Sequence, residues 1–213
     1  SQAQEITQGE SITDASGDFV LTFKALADES VSKESLPVFS YEITADVTDI
    51  NGETRSATTV VKVGYHSLIA TIDIDDKIDK TKKETTLKIE TKNLNDEFVN
   101  AKGSIRIYKL KAPKKPLRKR PRAAPDYQDI SENTFRTLFP NDPYTNDETD
   151  EKNWKKGDVV FSSNFDTKNS KEIQVTNMNN WIPGKYMVVL ESEDKFGKEV
   201  KDQKRFTLFS TKE

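Results

Sequence analysis

Tyr41-Glu-Ile-Thr-Ala-Asp-Val-Thr-Asp-Ile-Asn-Gly-Glu53 and Tyr186-Met-Val-Val-Leu-Glu-Ser-Glu-Asp-Lys-Phe-Gly-Lys198 decide the fold of this chain. The two stretches lie 145 residues apart, with Tyr41 on Tyr186, Asp49 on Asp194 and Gly52 on Gly197. Each begins as a run of strand-forming residues and ends in an Asp-x-x-Gly turn. A return strand follows, over Ala57–Val63 in the first copy and Arg205–Phe209 in the second. Aspartate caps its own backbone in such a turn and glycine accepts positive φ, so each copy reads as a β-hairpin. A device repeated at that distance predicts two consecutive domains of one architecture, each closing on a terminal hairpin.

Working outward, the first block spans residues 1–66. Thr13-Asp14-x-x-Gly17 is again turn chemistry, and Phe19, Leu21 and Phe23 alternate as a strand with one buried face. Residues 25–36 are polar and loop-like. Tyr41, Ile43, Ala45 and Val47 share one face of the strand that opens the hairpin. The second block, 67–213, is expected to hold seven short strands near Leu68–Ile74, Thr85–Thr91, Ile105–Lys109, Val159–Phe161, Ile173–Val175, Tyr186–Leu190 and Phe206–Phe209. Short alternating strands with polar turns between them are the pattern of an antiparallel β-sandwich. The chain is thus read as all-β, two consecutive antiparallel immunoglobulin-like sandwiches. The first is incomplete and carries only its C-terminal strands; the second is complete. Half a sandwich leaves edges unpaired and a core uncovered. Packing on the second domain or on another copy is expected to replace what is missing.

Between the third and fourth strands of the second block lies an insertion of about residues 110–156. It opens basic, with Lys111, Lys114, Lys115, Arg118, Lys119, Arg120 and Arg122, and turns acidic from Asp126 to Glu151. Ser131 is a good helix N-cap, Phe135, Leu138 and Phe139 fall at i, i+3 and i+4, and Pro140 stops the run, so a short amphipathic helix is expected there. An insertion of this length is ordinarily functional or disordered.

Composition narrows the function classes. The 213 residues are 32% charged and 33% hydrophobic, with a mean hydropathy of -0.77. Thin cores of this kind suit two slim sandwiches better than one thick globule. The net charge of -3 argues against nucleic acid as a partner. No apolar run reaches the roughly 18 residues of a membrane span. Ser1-Gln-Ala-Gln-Glu has neither the basic head nor the apolar segment of a signal peptide, so the chain is expected to be a fragment or a mature piece. Cysteine is absent and His66 is the single histidine, so thiol catalysis, thiolate metal sites and His-based triads cannot be assembled from this chain alone.

The remaining constellations each have a plain structural reading. The basic run Lys111–Arg122 has extended, proline-rich character that suits a protease cleft; its plainer reading is a solvated loop balanced by the acids after it. The acids of 142–151 lack the spacing of a calcium loop, and Asp73, Asp75 and Asp76 read as a solvent face and its turn. Asp46, Asp49, Glu53 and Asp194 belong to strands and turns rather than to a paired acid–base site. Trp154 and Trp181 could line a sugar site, against the plainer role of packing at a core edge. Tyr41 and Tyr186 stand where sandwich folds place corner tyrosines. His66 is expected to hold the domain junction through a hydrogen bond. No catalytic residue, metal ligand or cofactor is assigned.

At Val47-Thr-Asp-Ile-Asn-Gly-Glu-Thr-Arg-Ser56 and Val61-Lys-Val-Gly-Tyr65 the sequence resembles the macroglobulin domains of bacterial, Bacteroidetes-type α2-macroglobulin proteins. Gly9-x-x-x-Thr-Asp-x-x-Gly-x-Phe19, Trp154-x-x-Gly157 and Trp181-x-x-Gly184-x-Tyr186 fit the same pattern. The resemblance implies an extracytoplasmic protease-trapping inhibitor in which this chain is non-catalytic scaffold, not an enzyme. In that family cleavage of a bait segment triggers collapse around the protease, and a thioester attaches it. The thioester needs a cysteine that this chain lacks, so the covalent step cannot reside here. The implied partners are neighbouring domains of a longer chain and a target protease. From the residues themselves, Lys111, Lys114, Lys115, Arg118, Lys119, Arg120 and Arg122 are the candidate protease-accessible loop, which does not match the family's usual bait position. Unpaired edges of the first domain open a route to self-association. The alternative is a carbohydrate- or protein-binding sandwich module of a bacterial surface protein, with Trp154, Trp181 and the insertion making its site.

Overall fold

The computed structural model describes residues 4–82, 84–113, 117–119, 122, 129–145 and 148–211. The chain is all-β and divides into two units: Ser1–Ser67 with Leu94–Glu97, and Leu68–Asn93 with Phe98–Glu213. The reading from sequence placed the division between residues 66 and 67; here Ser67 and the Leu94–Glu97 loop go with the first unit.

Unit 1 contains one two-stranded antiparallel sheet, β1 (Val38–Thr48) and β2 (Thr54–Gly64). The turn between them is built by Asp49. Its Oδ1 accepts from Asn51 and Glu53 N–H, while Gly52 N–H donates to Asp49 C=O. Gly52 sits at φ +83°, where a Cβ would be strained. The register runs from Thr48↔Thr54 back to Val38↔Gly64, so Tyr41 faces Val61 and Ile43 faces Thr59. Tyr41 is the buried residue of the pair: Phe23 packs on its ring at 5.6 Å and its hydroxyl donates to Leu26 C=O. Expected strand Phe19–Phe23 is not a strand. Asp14 does form the predicted turn, with Ser16 and Asp18 N–H donating to Oδ1. Its flanks, however, find no partner strand among the described residues, and Phe19 and Leu21 stay exposed. Alternation gives a strand only where another backbone is there to pair with it.

Unit 2 is a sandwich of a five-stranded and a three-stranded sheet. Its strands are β3 (Ile69–Asp73), β4 (Lys77–Asp79), β5 (Glu84–Lys92), β6 (Lys102–Leu110), β7 (Lys156–Asp166), β8 (Glu172–Thr176), β9 (Gly184–Glu193) and β10 (Glu199–Phe209). The larger sheet runs β4-β10-β9-β6-β7 and the smaller β3-β5-β8. Every pairing is antiparallel except β4 with β10. Period-2 alternation sends Ile105, Ile107, Tyr186, Val188, Leu190, Phe206 and Leu208 inward from one sheet. Ala70, Ile72, Leu87, Ile89 and Val175 meet them from the other. At the centre Tyr186 is fully buried, stacked on Phe206 at 5.4 Å and tilted against Trp181 at 5.3 Å, its hydroxyl donating to Ile182 C=O at 2.6 Å. Two buried hydroxyls are satisfied by each other: Thr91 and Thr167 Oγ1 lie 2.9 Å apart, and Ala101 N–H donates to Thr167. The β9–β10 turn repeats the β1–β2 turn atom for atom, with Phe196 and Lys198 N–H on Asp194 Oδ1 and Gly197 at φ +76°.

Two expectations needed extension. Among the described residues unit 2 has eight strands rather than seven, because the three-residue β4 adds to β10. β7 is eleven residues long rather than three, because its outward positions are polar.

Candidate functional site

Between β6 and β7 the chain leaves the sandwich and returns to cover it. The covered place is the outer face of the five-stranded sheet. There β9 presents Met187 and Val189 and β6 presents Tyr108 and Leu110, while their neighbours face the main core. An edge of apolar surface of this kind exposed to water would be unfavourable by about 25 cal/mol per Å². Trp154 closes it, packing against this cluster, while its indole N–H donates to Glu148 C=O at 3.0 Å.

Glu148 organises the rest of the inserted segment. Its carboxylate takes Arg136 Nη2 at 2.9 Å and the N–H groups of Tyr144 and Thr145. Arg136 lies on α1 (Glu132–Leu138), capped by Ser131 Oγ accepting from Thr134 N–H, and also reaches Glu132 one turn back at 2.6 Å. Those two carboxylates hold the guanidinium above its ordinary value, Glu132 contributing most. The Phe135 ring packs tilted against Phe139 (5.1 Å) and edge-on to Tyr144 (5.3 Å), and Tyr144 hydroxyl donates to Ile130 C=O. A seven-residue helix would not persist alone; these side chains hold it. Further ties reach the β-sheet: Arg205 Nη2 donates to Lys152 C=O and Lys185 Nζ pairs with Glu151 at 2.8 Å.

The residues named from sequence as a protease-accessible loop are not gathered into a site. Lys111, Arg118, Lys119 and Arg122 are exposed. Lys111 N–H donates to Lys155 C=O and Arg118 N–H to Asn141 C=O, so these two residues are tied by backbone while their side chains face water. Lys114, Lys115 and Arg120 lie outside the described residues. Of the acids weighed for calcium, Glu148 is taken up by Arg136 and two backbone N–H groups, and Asp150 caps the 3₁₀ turn Glu151–Asn153 through Lys152 N–H. Asp73 and Asp76 lie 3.5 and 3.7 Å from Lys204 Nζ. Among the described residues no group of three or more histidines, aspartates or glutamates is placed to hold a metal ion.

The two tryptophans weighed from sequence as a sugar platform join different clusters. Trp181 is buried in the core beside Tyr186, and the inner face of Trp154 is spent on the sheet. Trp181 therefore offers no open ring, while Trp154 stays half-buried. His66 does not make the expected hydrogen bond through Nδ1, which is buried without a partner among the described residues. Sequence reasoning missed the roles of Glu148 and Arg136; it placed Trp154 at a core edge, as found, without saying which face it closes. The signal was present in Tyr186-Met-Val-Val-Leu190: an unbroken apolar run marks a strand buried on both faces, so something had to cover the outer one.

No family model and no curated protein matches the chain. Among solved structures, the tetra-tandem repeat in the extending region of a large adhesion protein is similar at 14% identity and a TM-score of 0.37. That match covers 83% of this chain and 33% of the other, so the chain spans about a third of the protein it matches. So loose a likeness decides neither fold nor function.

Proposed function

We propose that this chain is a non-catalytic part of an extracytoplasmic surface protein, a hairpin unit followed by a β-sandwich module, working through protein contacts rather than through a sugar site. One observation carries the reading: Trp154 of the insertion packs on the outer face of β6 and β9, and Trp181 is buried in the core. Unit 2 still leaves Leu138 and Phe139 of the insertion, and Phe196 of the β9–β10 turn, exposed as apolar contact surface. With one histidine and no cysteine, the chain also lacks the usual nucleophile–base sets. The test is a glycan array probed with the full chain, alongside the Trp154→Ala variant. The reading expects no glycan to be retained by either. A glycan bound by the native chain and lost with Trp154→Ala would overturn it.

A second reading is the protease-trap scaffold that the macroglobulin resemblance implies. The exposure of Lys111, Arg118, Lys119 and Arg122 favours it, since trypsin-like enzymes cut after such residues. A trap scaffold expects cleavage between 111 and 122 to change the sedimentation coefficient. A plain module expects the nicked chain to sediment as before, because β6 and β7 on either side of the cut stay paired with each other.

A further inference from the structure

Tyr41–Asp46 and Tyr186–Glu191 hold the same places in two hairpins, so unit 2 displays what flanks such a strand when its sheet is whole. The offset of 145 sets Glu42, Thr44 and Asp46 on Met187, Val189 and Glu191. Asp49 N–H donates to Glu53 C=O at the turn. Antiparallel pairing alternates, so the odd-numbered residues of β1 bond to β2 while Ser40, Glu42, Thr44 and Asp46 turn their main-chain groups to the other edge. The matching residues of β9 face β6, where Val189 stands opposite Arg106 and Glu191 opposite Ser104. Among the described residues no strand lies on that edge of β1, and Ser40, Glu42, Thr44 and Asp46 are all exposed. The β2 edge is different. Asn95 Oδ1 accepts from Lys62 N–H at 2.7 Å, its Nδ2 donates to Lys62 C=O at 3.1 Å, and Lys62 Nζ lies 3.8 Å from Asp96. A side chain already plugs that edge as a strand would.

The open edge also states what fits it. Glu42 and Asp46 flank Thr44 on the outer face, and Ser56 Oγ holds the Asp46 carboxylate in place. In unit 2 the strand in the equivalent place carries Arg106, whose Nη1 is 3.2 Å from Glu191 Oε2, a diagonal cross-strand pair. A cation opposite Thr44 would stand diagonal to both acids. Its two neighbours would turn to the inner face beside Tyr41, Ile43 and Ala45, as Ile105 and Ile107 stand opposite Leu190 and Val188. The geometry points to β1 as an acceptor edge for an extended strand of another polypeptide, added antiparallel, with the pattern aliphatic, Lys or Arg, aliphatic. A second copy of this chain does not supply it. Pairing β1 with β1 sets acids against acids, β2 is plugged at Lys62, and Pro113, Pro116 and Pro121 rob the basic run of the N–H groups a strand must donate.

This goes beyond the proposed function, and either can fail alone. The probe is a synthetic peptide Lys-Gly-Ser-Ile-Arg-Ile-Tyr-Lys-Leu, the β6 sequence, titrated into the isotope-labelled full chain and followed by amide NMR. The expected result is saturable shift change with slowed exchange at Glu42, Thr44 and Asp46. The Arg→Glu peptide should bind about tenfold more weakly. Glu42→Lys with Asp46→Lys should reverse that preference, and if the lysine pair unsettles the hairpin, Glu42→Gln with Asp46→Asn should abolish it. Absence of change at these amides would overturn the proposal, and so would equal affinity of both peptides for the native chain. Concentration-dependent protection of the same amides without peptide, with dimers in sedimentation, would assign the edge to a second copy and overturn it too.

Discussion

Asp49 and Asp194 do the same work with one carboxylate oxygen each, gathering two backbone N–H groups that the turn would otherwise leave to water. For Asp49 those bonds, from Glu53 first and Asn51 next, hold the carboxyl below its ordinary value of 3.8. A depressed folded pKa gives stability that is present above the unfolded value and is lost as pH falls through the folded one. Asp49→Asn keeps an oxygen for the turn but removes the titration, so the acid limb of β1–β2 unfolding should flatten below about pH 4. Denaturation midpoints from about pH 5 to about pH 2 check it, and parallel curves for variant and native chain would contradict it. Burial works in the opposite sense on Tyr186, pushing its phenol from 10.0 up to about 12. That raised pKa gives stability fully present below pH 10.0 and lost as pH rises through about 12. Phenolate absorbance should show a late component that Tyr186→Phe removes, at about 1 kcal/mol of stability for the lost bond to Ile182. Gly103 is a steric demand. A Cβ there would overlap the Glu191 carbonyl oxygen and lie 2.8 Å from the Phe165 ring. Gly103→Ala should therefore destabilise unit 2 by about 2–3 kcal/mol in urea unfolding.

At the scale of elements, the insertion is held as a covering layer by one aromatic anchor and one carboxylate hub. Trp154→Ala should cost about 2 kcal/mol, below the usual range for a fully buried tryptophan because this one is half-buried. It should loosen α1 selectively, and the check is tryptic mapping: the first cut should move to Arg136 while β9 and β10 stay intact. Loss of the whole sandwich in that variant would show that the insertion is integral to the core rather than laid over it. The hairpins were legible in the sequence because two independent signals, alternation and the Asp-x-x-Gly turn, agree at Tyr41–Gly52 and at Tyr186–Gly197. The helix was legible because Ser131, the Phe135–Leu138–Phe139 spacing and Pro140 mark its start, face and stop. β4 was not legible, since three residues with Ile78 alone buried carry no period. Phe19–Phe23 misled because alternation describes a strand's faces and is silent on whether a partner exists. The hub at Glu148 was hidden because it joins residues that only the folded loop brings together, Arg136 twelve positions before it and Trp154 six after.

For the whole molecule the account rests on an asymmetry between the two units. Unit 2 is a closed sandwich with β9 buried on both faces; unit 1 is a single hairpin, and a two-stranded sheet is marginal on its own in water. Both tryptophans lie in unit 2, so tryptophan fluorescence reports that unit while the amides of β1 and β2 report the other. The most direct test of the central claim is native-state amide hydrogen exchange across the full chain, read residue by residue by NMR. The account predicts strong protection at Val188, Leu190 and Ile107. In β1 it predicts partial protection at the odd-numbered residues Tyr41, Ile43 and Ala45, with Glu42, Thr44 and Asp46 exchanging at nearly the free rate. Protection of those three matching that of Val188 would contradict it, because the edge of β1 would then be covered already and unit 1 would not be an open hairpin.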